Sequence, residues 1–131
     1  MGVRQQYPDS ARVGTASLSA ANTNRDGSGT LVDLFVAGSN GSIVNSVSFS
    51  ATATTTAGIV RVWHNDGSTS RLLKELAVEA VTPSGTVLVW SGEIDLRDGQ
   101  GDPMPLPGGD KLQVTTNNAE TFDVFARGWD F

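Results

Sequence analysis

The sequence contains no cysteine in its 131 residues and no long apolar run. Without cysteine the chain has neither a disulfide framework nor a thiolate zinc site, so its stability must come from packing. No apolar stretch approaches the roughly 20 residues of a membrane span, and the first residues lack the apolar segment of a secretory signal. We therefore expect a soluble protein made in the cytoplasm, with no membrane partner.

Positive charge is also scarce. The 9 Lys and Arg residues stand against 14 Asp and Glu residues, which gives a formal net charge of −5. The cations are dispersed along the chain, whereas proteins that bind nucleic acids concentrate them on one face. The composition therefore argues against DNA or RNA as a partner.

The chain is instead rich in Gly, Ser, Thr and Asn, and turn signals interrupt it at short intervals, which disfavours long helices. A chain of this length suits one domain with a core of its own. About eight strand-like runs follow one another without helices. They predict an all-β protein, a single β-sandwich of about eight antiparallel strands, most naturally of jelly-roll type.

Several runs have clear strand character. Residues 43–54 alternate between apolar and small polar side chains, which predicts one buried and one wet face. Residues 86–96 are predicted to form another strand, and the side chains of one parity, expected to face the core, are Leu88, Trp90, Ile94 and Leu96. The segment 97–109, with three prolines, is predicted to be a surface loop without regular structure.

A β-hairpin is predicted between Gly58 and Val78. A loop of three or five residues centred on Gly67 would place Val62 against Leu72 on the buried face. On the other face the same register would pair Trp63 with Arg71, whose guanidinium could stack on the indole.

Residues 1–12 have no periodic apolar pattern, so we predict an extended N-terminal arm preceding a domain of residues 13–131. The arm has too few apolar residues to order itself, but it carries one aromatic side chain and two cations. It can be an attachment arm or a frayed terminus. The arm residues that could contact an acidic or polar partner surface are Arg4, Gln5, Gln6, Tyr7 and Arg12.

Two oxygen-rich segments have features of calcium loops. Asn22, Asn24 and Asp26 are spaced as in an EF-hand loop, but Asp33 at its last position falls in a strand pattern, so an Asx-rich turn is favoured. A looser group in the 97–109 region consists of Asp95, Asp98 and Asp102. Carboxylates on such loops are usually solvated; we predict no metal and no cofactor, and ion or glycan binding by the loop stays open.

The residue types of a catalytic triad occur together in the hairpin, as His64, Asp66 and Ser68. Neighbours at one hairpin tip cannot place a buried acid behind the imidazole and a hydroxyl ahead of it. No catalytic constellation remains, so we predict that the protein is not an enzyme.

Three segments resemble small structural proteins encoded among tailed-phage head genes: Ala21–Thr30 (ANTNRDGSGT), Thr54–Arg61 (TTTAGIVR) and Asn118–Phe131 (NAETFDVFARGWDF). The resemblance is to capsid decoration, or cement, proteins. It implies a β-sandwich module on the outer surface of the capsid, commonly trimeric, that clamps neighbouring copies of the major capsid protein. It implies no catalytic residue, and a virion location after assembly in the host cytoplasm. With this resemblance, the candidate capsid-binding residues are those of the arm, Arg4, Gln5, Gln6, Tyr7 and Arg12.

Large apolar side chains are concentrated near the end of the sequence. We expect Phe125, Trp129 and Phe131 to be buried between subunits of a homotrimer. The alternative is a tail-associated or lectin-like β-sandwich module that recognises glycans or another virion protein. An exposed aromatic side chain beside the 97–109 loop would favour that alternative.

Overall fold

A computed structural model describes residues 9–131, which form nine β-strands and no helix. The strands are β1 (Ser10–Leu18), β2 (Val32–Val36), β3 (Ser42–Ala51), β4 (Gly58–Asn65), β5 (Ser70–Val78), β6 (Ser91–Asp95), β7 (Met104–Leu106), β8 (Lys111–Thr116) and β9 (Phe122–Asp130). The all-β prediction is confirmed.

The strands form two antiparallel sheets. Sheet A has the order β1-β9-β3-β6, with β7 pairing with the free start of β3, and sheet B has the order β2-β8-β4-β5. Buried apolar side chains from both sheets form one core, which is consistent with the predicted β-sandwich. Its fully buried members include Phe35, Phe49, Phe122, Leu106 and Leu112.

Alternation along the strands explains which side chains enter this core. In β3 the side chains of Val47, Phe49 and Ala51 are buried, and the serines between them face outward, as predicted. In β9 the buried residues Phe122, Val124 and Ala126 alternate with exposed ones. Full burial of one such apolar side chain contributes about 1.5–3 kcal/mol.

The strand predicted at residues 86–96 is right only in its second half. Trp90, Ile94 and Leu96 are buried as expected, but β6 begins at Ser91, and Leu88 is 86% exposed. The reason is the length of β3, which ends at Ala51, one residue beyond its last pairing with β6. The residues before Trp90 therefore have no strand to pair with.

The prediction that residues 97–109 lack regular structure is wrong for residues 104–106. β6 pairs only with residues 46–50 of β3, which leaves the first residues of β3 free to pair with β7. Pro105 lies opposite Ile43 in this short pairing. Proline is tolerated there because β7 has a neighbour on one side only.

The predicted hairpin exists, but its register differs from the prediction. Its loop, residues 66–69, has four residues, and Trp63 lies opposite Leu72. The pairing shifts between Val62 and Trp63, so Leu73 is an extra residue in β5 and packs against the core. A β-bulge at two consecutive leucines is not visible in a count of alternating residues.

Candidate functional site

The interior formed by residues 9–131 offers no ligand site. Residues 9–131 contain no cavity and no group of three His, Cys, Asp or Glu side chains placed to hold a metal ion. Every buried side-chain nitrogen and oxygen in this part of the chain has a hydrogen-bond partner. The candidate sites therefore lie on the surface.

The calcium-like segment after β1 is an Asx-rich turn, as favoured. The Asn22 amide donates to the carbonyl oxygens of Ser28 (3.0 Å) and Thr30 (2.9 Å), and its oxygen accepts the N–H of Asn24 (3.0 Å). Asp26 accepts both the hydroxyl and the N–H of Ser28, and these hydrogen bonds lower the pKa of Asp26. The side-chain oxygens of Asn22 and Asp26 therefore accept hydrogen bonds from groups of the same segment.

In the other calcium-like group, the carboxylates of Asp95 and Asp98 bind groups of the chain itself. Asp95 pairs with the Arg97 guanidinium at 3.0 Å, and the hydrogen bond from this side chain lowers the pKa of Asp95 to about 2. Asp98 accepts the N–H groups of Gln100 (2.8 Å) and Asp102 (3.0 Å), which closes the turn. Their carboxylates do not converge on one point.

The triad-like residues of the hairpin are likewise not assembled. Asp66 accepts the N–H groups of Ser68 (3.1 Å) and Thr69 (2.9 Å), and its carboxylate also pairs with Arg71. These contacts, first of all the hydrogen bond from Thr69, hold the pKa of Asp66 well below its usual range. His64 contacts Asp110 instead, at 2.8 Å.

The predicted capsid-binding set is divided by the structure. Arg12 lies in β1, where its Nη1 donates to the carbonyl of Val36 (2.7 Å) and pairs with Asp130 (3.0 Å). Its guanidinium lies 4.4 Å from the ring centroid of Phe35, so Arg12 links the two sheets. The other four residues, Arg4, Gln5, Gln6 and Tyr7, lie outside the described residues.

A buried arginine on the outer face of sheet B was missed by the sequence analysis. Arg61 is 1% exposed, because the connection from β1 to β2 crosses this face. Its Nε donates to Glu75 at 2.7 Å, and its other nitrogens reach the Asn22 carbonyl and the Asn117 amide oxygen, both at 3.3 Å. Arg25, within the crossing connection, contacts the same Glu75 oxygen at 2.7 Å.

Trp63 is buried beside Arg61 and donates its Nε1–H to the hydroxyl of Thr115 at 3.0 Å. Two glycines shape the crossing connection: Gly27 and Gly29 have φ of +88° and +84°, and a Cβ at Gly27 would lie 2.6 Å from the Ser70 carbonyl oxygen. A signal for this arrangement exists in the sequence, since Arg61 stands in an otherwise apolar run opposite Glu75.

The outer face of sheet A is open by comparison. Val13 is 63% and Phe125 40% exposed, and they lie on neighbouring strands, with Phe125 opposite Thr15. The three predicted interface residues have the same parity at the end of the chain: Phe125, Trp129 and Phe131. Trp129 and Phe131 are half-buried, and the strand pairing places Trp129 between Ala11 and Ile43.

The connection between β5 and β6, residues 79–90, has the most exposed large apolar side chain of the described residues. Its apolar tip, defined as Val87, Leu88 and Val89, is exposed at 47%, 86% and 36%. The Ser84 hydroxyl oxygen accepts the N–H groups of Thr86 and Val87, both at 3.2 Å, and so fixes the turn before the tip.

Comparison with known proteins adds no functional assignment, because no protein-family model and no curated protein matches the chain. Among the described residues there is no helix long and apolar enough to cross a membrane.

Proposed function

We propose that the protein is a non-enzymatic structural protein of a phage virion, which binds the outer surface of the capsid and stabilises it. The partner is the major capsid protein, and the protein joins the capsid after synthesis in the host cytoplasm. The resemblance of three sequence segments to decoration proteins motivates the proposal. The structural observation that carries it is the pattern of strand pairing.

This pairing supports a jelly-roll topology. With β7 set aside, β1 pairs with β9, β2 with β8, β3 with β6 and β4 with β5, as in one long antiparallel ribbon folded across both sheets. The pairs β3 with β9 and β4 with β8 then join the ribbon within each sheet. Eight-stranded jelly rolls occur in viral capsid proteins and in lectins. Since a fold alone does not fix a function, the exposed surfaces must supply the rest.

The homotrimer is part of this proposal. Phe125 and Val13 expose neighbouring apolar surface on sheet A, and Trp129 and Phe131 continue along the same side of the chain. Such surface favours burial between subunits. Sedimentation equilibrium at tens of micromolar should give the mass of three chains; a monomer would exclude a trimer that forms away from the capsid.

The attachment arm also remains a proposal. Because Arg12 is engaged within the fold, arm contacts with the capsid must come from residues 1–8. Deletion of residues 1–8 should leave the melting temperature unchanged and abolish binding to undecorated capsids. Wild-type occupancy by the truncated protein would show that the arm is dispensable.

The decisive experiment uses the major capsid protein encoded in the same genome. Capsids assembled with and without the chain should differ in thermal stability, and an electron-microscopy map of the decorated particles should show added density on the outer surface. Capsids that neither retain the chain through sedimentation nor gain stability would contradict the proposed function.

Glycan recognition is the second candidate, because lectin domains share the jelly-roll fold. One observation bears on it: Trp129 lies one strand away from β7, across Ile43 from Pro105. The indole is half-buried and so offers only part of its surface as a sugar platform. Binding of the isolated protein to a glycan array, lost in Trp129→Ala, would replace the capsid proposal.

A further inference from the structure

We propose that the apolar tip of the β5–β6 connection, Val87, Leu88 and Val89, is an anchor that inserts into an apolar pocket on the major capsid protein. The inference rests on the proposed function and adds a contact site that no sequence pattern assigned. It depends on three features of the tip, which are its rigidity, its lack of charge and its position.

The connection is held at both of its ends. Val81 exchanges two backbone hydrogen bonds with Thr55 (2.9 and 3.1 Å), and Trp90 is buried edge-to-face against Phe122 with ring centroids 5.9 Å apart. Between these points Ser84 donates its N–H to the Val87 carbonyl at 3.0 Å, in addition to accepting two N–H groups. A tip fixed in this way loses little conformational entropy when it binds.

The hairpin loop at the other end of β5 is held by the same kind of hydrogen bonds but exposes no leucine. This kind of turn therefore does not require an exposed leucine. There Asp66 accepts two backbone N–H groups, as Ser84 does, but the loop residues 66–69 are Asp, Gly, Ser and Thr. Two connections of the same strand therefore use the same kind of support and expose opposite chemistry.

The chemistry of the tip restricts the kind of partner that it can bind. No charged residue occurs between Glu79 and Glu93, so the contact surface of the partner must be apolar. An anionic membrane is disfavoured, because membrane-binding loops depend on cations and interfacial aromatic side chains. The tip has neither, and the whole chain carries a net charge of −5.

A second copy of the chain is also a poor partner for the tip. The described residues form no cavity that could receive Leu88. Contact between two tips would cover only three side chains on each partner, far less than the roughly 800 Å² per partner of a stable interface. A different protein can supply both a pocket for Leu88 and the larger contact area that a stable interface needs.

The position of the tip fits a protein that joins neighbouring subunits. β6 begins beside Ser50, near the end of β3, whereas Ser10 lies opposite Asp130 at the other end of sheet A. The nine residues of β9 separate these ends by about 30 Å. A tip contact and an arm contact would therefore reach different places on the shell.

The test compares Leu88→Asp with Val36→Asp. Both variants add one negative charge at an exposed apolar residue. Val36, 46% exposed, lies at the opposite end of the molecule, where its carbonyl contacts Arg12 of β1. Binding to undecorated capsids of the major capsid protein is measured by cosedimentation. Because burial of a leucine typically corresponds to at least a tenfold change in affinity, Leu88→Asp should bind at least tenfold more weakly. Val36→Asp should stay within twofold of wild type, and both variants should melt as wild type does.

Equal binding of wild type and Leu88→Asp, or an equal loss in Val36→Asp, would overturn the tip inference while leaving the proposed function intact. Failure of wild type to bind capsids would overturn the proposed function and this inference with it. A photoreactive benzoylphenylalanine at position 88, but not at position 36, should crosslink to the major capsid protein. Dimers of wild type that Leu88→Asp abolishes, or flotation with phosphatidylglycerol vesicles, would assign the tip to a different occupant and overturn the inference.

Discussion

The outer face of sheet B is covered by another part of the chain, whereas the outer face of sheet A is exposed. On sheet B the connection from β1 to β2 crosses the face and buries Arg61 and Trp63, so polar and aromatic groups form a second packed layer. On sheet A the side chains of Val13, Phe125 and Arg127 remain exposed among small polar residues. One face is completed by the chain itself, and the other is available to a partner. Substitutions on sheet B should therefore reduce the stability of the single chain, whereas substitutions on sheet A should mainly affect association with a partner.

Loss of the buried arginine should have the largest effect on folding. Arg61→Met leaves the Asn22 carbonyl and the Asn117 amide oxygen without their charged partner and breaks the pair with Glu75. We expect the free energy of unfolding to fall by about 3 kcal/mol in urea titrations at pH 7.

The matched control is Arg127→Met on the open face, where the guanidinium is 61% exposed and lies 3.6 Å from Glu93. An exposed pair of this kind contributes about 0–1 kcal/mol. If both variants lost the same stability, the two faces would not differ as the structure indicates.

The next largest effect should come from the connection that covers sheet B. Asn22→Ala removes two donated hydrogen bonds and one accepted bond at a buried side chain, which should cost about 2 kcal/mol. Asn24→Ala, at an exposed side chain two residues away, should change stability by less than about 0.5 kcal/mol. Amide exchange should accelerate at Asn24 in the first variant, and unchanged exchange there would contradict the proposed role of Asn22.

A smaller effect should appear as a dependence on pH. Hydrogen bonds from Arg25 and then Arg61 lower the pKa of Glu75 from its ordinary value of 4.5. Because the folded-state pKa is below the unfolded one, this contribution is complete above pH 4.5 and is lost as the pH falls through the lowered value. Glu75→Gln should cost about 1 kcal/mol at pH 7 and reduce the loss of melting temperature between pH 5 and 3. Glu93→Gln is the control, and an equal reduction there would assign the dependence to other groups.

The sequence was sufficient where a residue's neighbours are set by local alternation. The period of two in β3 predicted the burial of Val47, Phe49 and Ala51, and the same pattern predicted Trp90, Ile94 and Leu96. It failed at Leu88, which has the right parity but no partner strand, because the lengths of β3 and β6 are set by tertiary packing. Alternation states which way a side chain would point in a strand and not whether a strand is there.

The candidate surfaces depend still more on information that is not local. The acidic and amide residues after β1 were predicted to be a turn, and they are, but no pattern indicated that this turn would cover Arg61 and Trp63. Contacts between residues 39 positions apart, such as that of Arg61 with Asn22, follow from the path of the chain between the sheets. A charged residue in an apolar run, such as Arg61, indicates a buried ion pair. The alternation of apolar and polar residues does not contain this signal.

The smallest effect on folding is expected on the open face of sheet A. Phe125→Ser removes an aromatic side chain that is 40% exposed and lies outside the main core. The free energy of unfolding of the single chain should therefore fall by no more than about 1 kcal/mol, because only part of the ring is covered by the sheet. If Phe125 lies between subunits, the same substitution should shift the sedimentation equilibrium from trimer toward monomer, because a buried aromatic side chain often dominates an interface. Thr15→Ser, on the strand beside it, should leave association unchanged. A Phe125→Ser protein that remains fully trimeric would place the subunit contact elsewhere, and one that unfolds easily would show that this face is completed within the chain, as sheet B is.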